Sequence, residues 1–152
     1  MCIRDSFNPG YPVIDCSLIH VPEQGKDVWY RWVKSEVDYR IWQQRSETGI
    51  LGTWTNVGNA SDDTRVTFAD RYSNNEGQLC FRDNADPGLF HLWIDQSSTE
   101  TYIPAQARTL DDMAAWQLSD TTNFTKNTKH GWVFPLNQQQ YDTIQAKYQF
   151  VQ

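Results

Sequence analysis

The feature that most constrains the fold is a hairpin pattern that occurs twice along the chain. Residues 13–33 and 77–95 each begin as an apolar strand, pass through a glycine-containing turn and continue as an aromatic strand. Each hairpin is followed by a further strand and a tryptophan-containing turn, at Trp54 and Trp116. Four-stranded units that repeat every roughly 50–65 residues are typical of β-propeller blades. The sequence therefore predicts an all-β chain with two propeller blades and part of a third.

Local signals give the positions of the individual elements. Apolar runs bounded by Gly, Pro, Asn and Asp predict strands over 13–21, 27–34, 39–45, 65–69, 77–82, 89–95, 102–109 and 130–136. A strong turn is predicted over 83–88 and one helical turn over 111–116. A short C-terminal helix is predicted over 137–148, where Asn137 and Gln140 have the spacing of a capping box.

Charge and apolar content exclude two classes of partner. The net charge is −6 and no run of Lys or Arg is present, which argues against a nucleic-acid partner. The longest apolar stretch, 89–94, is interrupted by His91 and is far too short to span a bilayer. We therefore expect neither nucleic acid nor a membrane as a partner.

The cysteines and the N-terminus carry less information. Cys2, Cys16 and Cys80 form no CxxC pair, which argues against a zinc site, and the sequence leaves open whether Cys16 and Cys80 pair. Residues 1–6 resemble translated sequencing-adaptor sequence and lack the apolar region of a signal peptide. We expect residues 1–6 to be an artefact, the gene to begin upstream, and residues 7–152 to be the C-terminal part of a single propeller domain.

Three ionisable side chains are candidates for a site. Asp15 lies inside an apolar strand, where a carboxylate either faces a cavity or is hydrogen-bonded to backbone amides. Glu76 begins the second hairpin at what we interpret as the corresponding place in the next blade, although it could be a solvated turn residue. Two carboxylates facing one channel suit glycoside hydrolysis, which requires a carboxylic acid as proton donor. His130 begins the last predicted strand and is either structural or associated with a metal.

Aromatic residues make up 14% of the chain, with seven tryptophans. Aromatic side chains favour strands and also stack on sugar rings. Trp29, Trp32 and Trp93 are candidate sugar-stacking residues, with packing in the core as the alternative for each.

Several short segments, taken in chain order, resemble motifs of glycoside hydrolase family 43. They are 13–19 (VIDCSLI), 29–36 (WYRWVKSE), 51–55 (LGTWT), 75–78 (NEGQ), 92–96 (LWIDQ), 102–104 (YIP), 129–136 (KHGWVFPL) and 141–142 (YD). Each motif is weak alone, but their order over residues 11–148 makes the resemblance specific.

The resemblance implies a five-bladed β-propeller that hydrolyses arabinose- or xylose-containing plant polysaccharides or oligosaccharides, as an arabinofuranosidase or xylosidase, with inversion of configuration. By residue match, Glu76 is the general acid and Asp15 is the residue that tunes the pKa of that acid. The general base of the family has no counterpart in this chain. His130 matches a histidine that, in many members, helps to hold calcium at the propeller centre through water. Because such polymers lie outside the cell, we expect the protein to be secreted.

The chain departs from the family motifs at three positions. Gln78 and Thr53 each replace a proline, and Lys129 replaces an arginine. These departures leave open a non-catalytic carbohydrate-binding propeller as the alternative. A retaining, fructan-cleaving propeller is a third interpretation, against which the His-Gly segment at 130–131 argues. We expect the chain by itself to be inactive, because it lacks the base and leaves blade edges unpaired.

Overall fold

A computed structural model describes residues 9–58, 75–96, 101–122, 124 and 126–148. The strands are β1 (Val13–His20), β2 (Trp29–Ser35), β3 (Ile41–Ser46), β4 (Thr55–Asn56), β5 (Asn75–Arg82), β6 (Phe90–Gln96), β7 (Thr101–Ala107) and β8 (Gln117–Leu118). A 3₁₀ helix spans Met113–Ala115, and α1 spans Gln138–Tyr148. The strand predicted over 65–69 and the segment 1–6 lie outside the described residues.

The strands form two antiparallel sheets with the same organisation. One sheet has the order β1-β2-β3-β4 and the other has the order β5-β6-β7-β8. In both, each strand pairs with the next strand of the chain, as short connections favour. The all-β prediction and the repeat of two four-stranded units are therefore confirmed, whereas closure into a propeller stays a prediction.

The first strand of each sheet carries a β-bulge at the same place. In β1 the register shifts between Ile14 and Ser17, and in β5 it shifts between Glu76 and Leu79. The pair before the first bulge contains Ile14, and the pair before the second contains Glu76. Glu76 therefore corresponds to Ile14, and Asp15 corresponds to Gly77. The predicted equivalence of Glu76 and Asp15 is wrong by one residue, because hairpin similarity alone does not show which residue occupies the bulge.

The hydrophobic core lies between the two sheets. Apolar side chains on the inner faces of both sheets meet there, together with the segment around the 3₁₀ helix. Burial of this apolar surface holds the sheets face to face. The core residues are Val28, Tyr30, Trp32, Ile41, Val57, Cys80, Phe90, Leu92, Ile94, Ala105, Ala107, Leu110, Met113 and Trp116.

One buried glutamine joins the two sheets through hydrogen bonds. Gln43 of β3 is fully buried, and its Oε1 accepts from Trp32 Nε1 at 3.1 Å and from Trp116 Nε1 at 2.9 Å. Its Nε2 donates to the carbonyl of Leu110 at 2.6 Å. A buried amide is tolerated when its groups are paired in this way.

The predicted turns form with identifiable caps. In the 83–88 turn, Asp83 Oδ1 accepts from the amides of Ala85 and Asp86, and Oδ2 bonds to His91 Nε2 at 2.9 Å. The hydrogen bond from His91 and those from the amides lower the pKa of Asp83 to about 2. The predicted helical turn is confirmed as the 3₁₀ helix, with Asp112 accepting from the amide of Ala114.

The C-terminal segment agrees only in part with the sequence. Residues 130–136 contain no strand, so that prediction is wrong; a strand needs a partner, and no described strand pairs with this segment. The helix is confirmed as α1, and the backbone amides of Asn137 and Gln140 bond reciprocally to each other's side chains at 2.9 Å. No described helix is long and apolar enough to cross a membrane.

The question of cysteine pairing is answered for two of the three residues. Cys16 is an exposed free thiol and Cys80 is a buried one, so these two residues do not form a disulfide. Cys2 lies outside the described residues.

Candidate functional site

Glu76 lies directly before the bulge of β5, at the start of the second sheet. Glu76 pairs across the ladder with Asp95 of β6, just before the register shifts. About a third of its side chain is exposed (32%). A bulge re-aims a side chain out of the regular alternation of a strand, and bulges are common beside functional sites. Glu76 is thus a carboxyl group that solvent can reach at a distorted point of the sheet.

Asp95 is the site residue that the sequence did not single out. Its side chain is fully buried (0%), and neither oxygen has a hydrogen-bond partner of normal geometry among the described residues. Burial raises the pKa of Asp95, while His130 and Lys129 oppose that rise. A buried carboxylate with so little hydrogen bonding is costly, which marks this position as unusual. The sequence signals are an aspartate at the end of the apolar run 89–95 and its place in the motif 92–96, neither of which indicates a role for Asp95.

His130 lies beside both carboxyl groups. Its Nε2 is 3.4 Å from Asp95 Oδ2 and 3.6 Å from Glu76 Oε1. The residue has a positive φ of 46°, which is uncommon for a residue other than glycine and is found at functional sites. The amide of the next residue, Gly131, donates to the hydroxyl of Tyr102 and so anchors the segment to β7. The fold therefore brings together Glu76 and His130, both of which the sequence predicted.

Gly77 has no side chain, which leaves space for His130 beside Glu76 and Asp95. Its φ is +55°, and a Cβ at this position would lie 3.1 Å from His130 Nδ1 and 3.2 Å from Asp95 Cβ. A side chain would therefore be strained by the backbone and crowded by two site residues. Both the backbone conformation and the crowding therefore favour glycine as the residue after Glu76.

Replacement of Gly77 by alanine is expected to destabilise the protein by about 2–4 kcal/mol and to move His130 away from Glu76. The matched control is Gly25→Ala, since Gly25 also has a positive φ (81°), but a Cβ added there would meet no described atom within 4 Å. The control should cost only about 1 kcal/mol of backbone strain. Urea denaturation of both variants checks this, and equal losses would show that contact with His130 is unimportant.

Asp15 reaches the site from the first sheet. It lies in the bulge of β1 with a φ of 52°, a conformation that aspartate tolerates better than most residues. Its Oδ2 accepts a hydrogen bond of 3.0 Å from the amide of Gly77, the residue after Glu76. Asp15 thus contacts the backbone of the predicted acid, and the sequence prediction that the two residues share a site agrees with this geometry.

A family comparison agrees with the site. A family model described as "Probable glycosyl hydrolase domain", of the group related to glycoside hydrolase family 43, matches residues 4–142. The chain belongs to this family. No curated protein and no solved structure matches this chain. Membership in this glycosyl hydrolase family makes carbohydrate the general class of substrate, and it agrees with the resemblance stated from the motifs.

Of the three tryptophans predicted to stack on sugars, Trp32 is not available to a ligand in this glycosyl hydrolase domain. Its side chain is fully buried (0%) between the sheets, and its ring packs edge-on against Trp116 with centroids 6.1 Å apart. The structure corrects that prediction, because the alternation of β2 points Trp32 into the core.

Trp29 and Trp93 are half-buried, and their sugar-stacking role stays a prediction. Trp29 stacks on His20, with ring centroids 4.5 Å apart, at the far end of β1 from Asp15. That separation is roughly 15 Å along the strand. Trp93 packs among Phe81 and Phe124, with centroids 5.0 and 4.8 Å away. Packing already explains the position of both rings.

The departures from the family motifs have partial structural explanations. Gln78, in place of the motif proline, is buried, and its Nε2 donates to the carbonyl of Trp32 at 3.2 Å. This bond ties the bulged segment of β5 to β2, which is the fixing role that a rigid proline would serve. Lys129 precedes His130 and contributes positive charge near Asp95.

The predicted calcium ion has limited support from the residues themselves. Calcium prefers several oxygen ligands, and no group of three or more His, Cys, Asp or Glu among the described residues is arranged to hold a metal ion. His130 Nε2 already faces the two carboxyl groups. The described residues therefore do not form a direct calcium site, and contact through water stays a prediction.

Proposed function

We propose that this domain is part of an inverting glycosidase acting on arabinose- or xylose-containing plant polysaccharides or oligosaccharides, and that its two sheets are blades of a five-bladed propeller. The observation that carries the proposal is a solvent-accessible Glu76 directly before a β-bulge, beside His130 and the buried Asp95, in a glycosyl hydrolase domain. Substrates of this kind are extracellular polymers, so we propose that the protein is secreted.

The difference in exposure supports Glu76, rather than Asp95, as the acid. Glu76 reaches solvent, whereas Asp95 is fully buried and cannot touch a glycosidic oxygen. In the proposed step, Glu76 gives its proton to the leaving oxygen as the bond between that oxygen and the anomeric carbon breaks. In the same step a base takes a proton from a water molecule, whose oxygen forms a bond to the anomeric carbon from the opposite face of the sugar. Asp15 acts through the backbone, because its carboxylate accepts a hydrogen bond from the amide of Gly77, the residue after Glu76.

The proposed base has no match in this chain, so the test uses the full-length protein that contains the domain. The assay measures hydrolysis of aryl arabinofuranosides and aryl xylosides and follows the anomeric proton of the product by NMR. Release of sugar with inverted configuration supports the proposal. A product with retained configuration would support the fructan-type double-displacement mechanism instead, and no release from any substrate would reject a glycosidase.

The second candidate is a carbohydrate-binding propeller without catalysis. It is favoured by two departures from the family motifs, Gln78 in place of proline and Lys129 in place of arginine, which lie close in the chain to Glu76 and His130. Binding measurements on the unmodified protein and on Glu76→Gln and Asp15→Asn separate the candidates. Sugar binding without turnover in the unmodified protein would establish the binding module.

A further inference from the structure

We infer that Lys34 is a positioning residue for the acid Glu76, acting through the backbone carbonyl of Asn75. This inference rests on the proposed function, since it assigns Glu76 the role of proton donor. Lys34 lies near the end of the aromatic strand β2 of the first sheet, and its place in the 29–36 motif does not by itself indicate a role.

The contact crosses from one sheet to the other. Lys34 Nζ donates to the carbonyl oxygen of Asn75 at 2.7 Å, and the lysine is almost completely buried (1%). Asn75 is buried as well and directly precedes Glu76. On the other side of Glu76, the amide of Gly77 donates to Asp15. The two peptide groups that flank the acid are thus each held by a charged side chain from the first sheet.

A buried ammonium group is not explained by packing alone. Removing such a group from water is costly, and an apolar side chain would fill a similar volume without that cost. Hydrogen bonds from charged donors are shorter and stronger than neutral ones, and 2.7 Å is at the short end of that range. The bond ends on the peptide group directly before Glu76, so the buried ammonium group acts on the backbone of the acid.

The bulge gives that task a physical reason. A regular ladder would fix Glu76 through its pairing with β6, but the register breaks directly after this residue. At a bulge the ladder is locally disrupted, so the backbone is less constrained by its own sheet. Lys34 and Asp15 supply the missing constraint from outside the sheet. A general acid must lie within hydrogen-bond reach of the leaving oxygen, so small shifts of its backbone reduce the rate.

The test compares Lys34→Met with the unmodified full-length protein on two aryl glycosides. Methionine keeps most of the unbranched side chain, ending one atom short of the lysine nitrogen, and removes the donor. Proton donation matters most when the leaving group is poor, so we expect kcat for a phenyl glycoside to fall by about 10–100-fold. For a dinitrophenyl glycoside, whose leaving group needs little protonation, kcat should fall by less than about threefold. KM should stay nearly unchanged for both, because Lys34 is too buried to touch substrate.

Arg31→Met is the matched control. Arg31 is a second buried cation of β2, and its Nε donates to Gln44 Oε1 at 2.7 Å rather than to the backbone beside Glu76. We expect this variant to lower both kcat values by the same factor, as a purely structural loss would. If Lys34→Met also lowers both rates equally, the positioning role is wrong.

A second measurement does not depend on hydrolysis. Amide hydrogen exchange at Glu76 and Gly77 should become faster in Lys34→Met than in Arg31→Met, because the carbonyl of Asn75 is released. If the unmodified protein hydrolyses no glycoside, the proposed function fails. The exchange rates then still test whether the contact between Lys34 and Asn75 holds the backbone around Glu76. Unchanged exchange at both amides would overturn the inference even in an active enzyme.

Discussion

Replacement of Glu76 by glutamine is expected to lower kcat of the full-length protein by about 10²–10⁴-fold on glycosides with poor leaving groups. Glutamine keeps the size and the polarity of the side chain but has no proton to give to the glycosidic oxygen. The loss should shrink markedly for a dinitrophenyl glycoside, because that leaving group departs without protonation. Substrate binding should be retained, since the shape of the site is preserved. Steady-state kinetics with a series of aryl glycosides of different leaving-group pKa measures this dependence.

The control for this prediction is Glu36→Gln. Glu36 is an exposed glutamate in the turn after β2, and its replacement removes the same charge from a residue outside the cluster of Glu76, Asp95 and His130. The control should retain the full rate on every substrate. If Glu76→Gln lowers kcat equally on glycosides with good and poor leaving groups, Glu76 is not the acid. If kcat is unchanged on all of them, Glu76 does not belong to the catalytic site.

Replacement of Gln43 by methionine is expected to lower the free energy of unfolding by about 3–5 kcal/mol. Methionine fills nearly the same volume, so the loss comes from hydrogen bonds rather than from a cavity. The indole donors of Trp32 and Trp116 and the carbonyl of Leu110 would all lose the buried partner described above. Each buried group left without a partner costs about 1–3 kcal/mol. Because these groups belong to both sheets, the packing of one sheet on the other should weaken.

Urea denaturation of the full-length protein measures this loss, with Gln117→Met as the control. Gln117 is exposed on β8, and substitutions at such positions usually change stability by less than about 0.5 kcal/mol. A loss below about 1 kcal/mol for Gln43→Met would show that the three groups find other partners. In that case Gln43 would not be the link between the sheets.

Much of the local structure could be read directly from the sequence. The cap of α1 depends on Asn137 and Gln140, which are three residues apart, and both predicted hydrogen bonds form. The 83–88 turn likewise depends on Asp83 and the amides that follow it directly. Signals of this kind involve neighbours in the chain, so no knowledge of the distant contacts is required.

Two site residues could not be found in this way. Asp95 is a site residue because β6 places it opposite Glu76 and because His130 approaches it from a distant segment. Lys34 is tied to Asn75, 41 residues further along the chain. In the sequence, both residues lie near the ends of apolar strands and resemble polar residues at a sheet edge. Only the packing of one sheet against the other buries them beside the acid.

The all-β class, the two repeated hairpin units and the resemblance to glycoside hydrolase family 43 follow from the amino-acid sequence, because periodicity and motif order are local properties of the chain. The residues that occupy the two bulges follow from the folded arrangement, since a register shift depends on the partner strand. The same is true of the burial of Trp32 in the core and of the exposure of Glu76 rather than Asp95. Burial is set by what packs on a strand from outside, and a single strand's sequence does not contain that information.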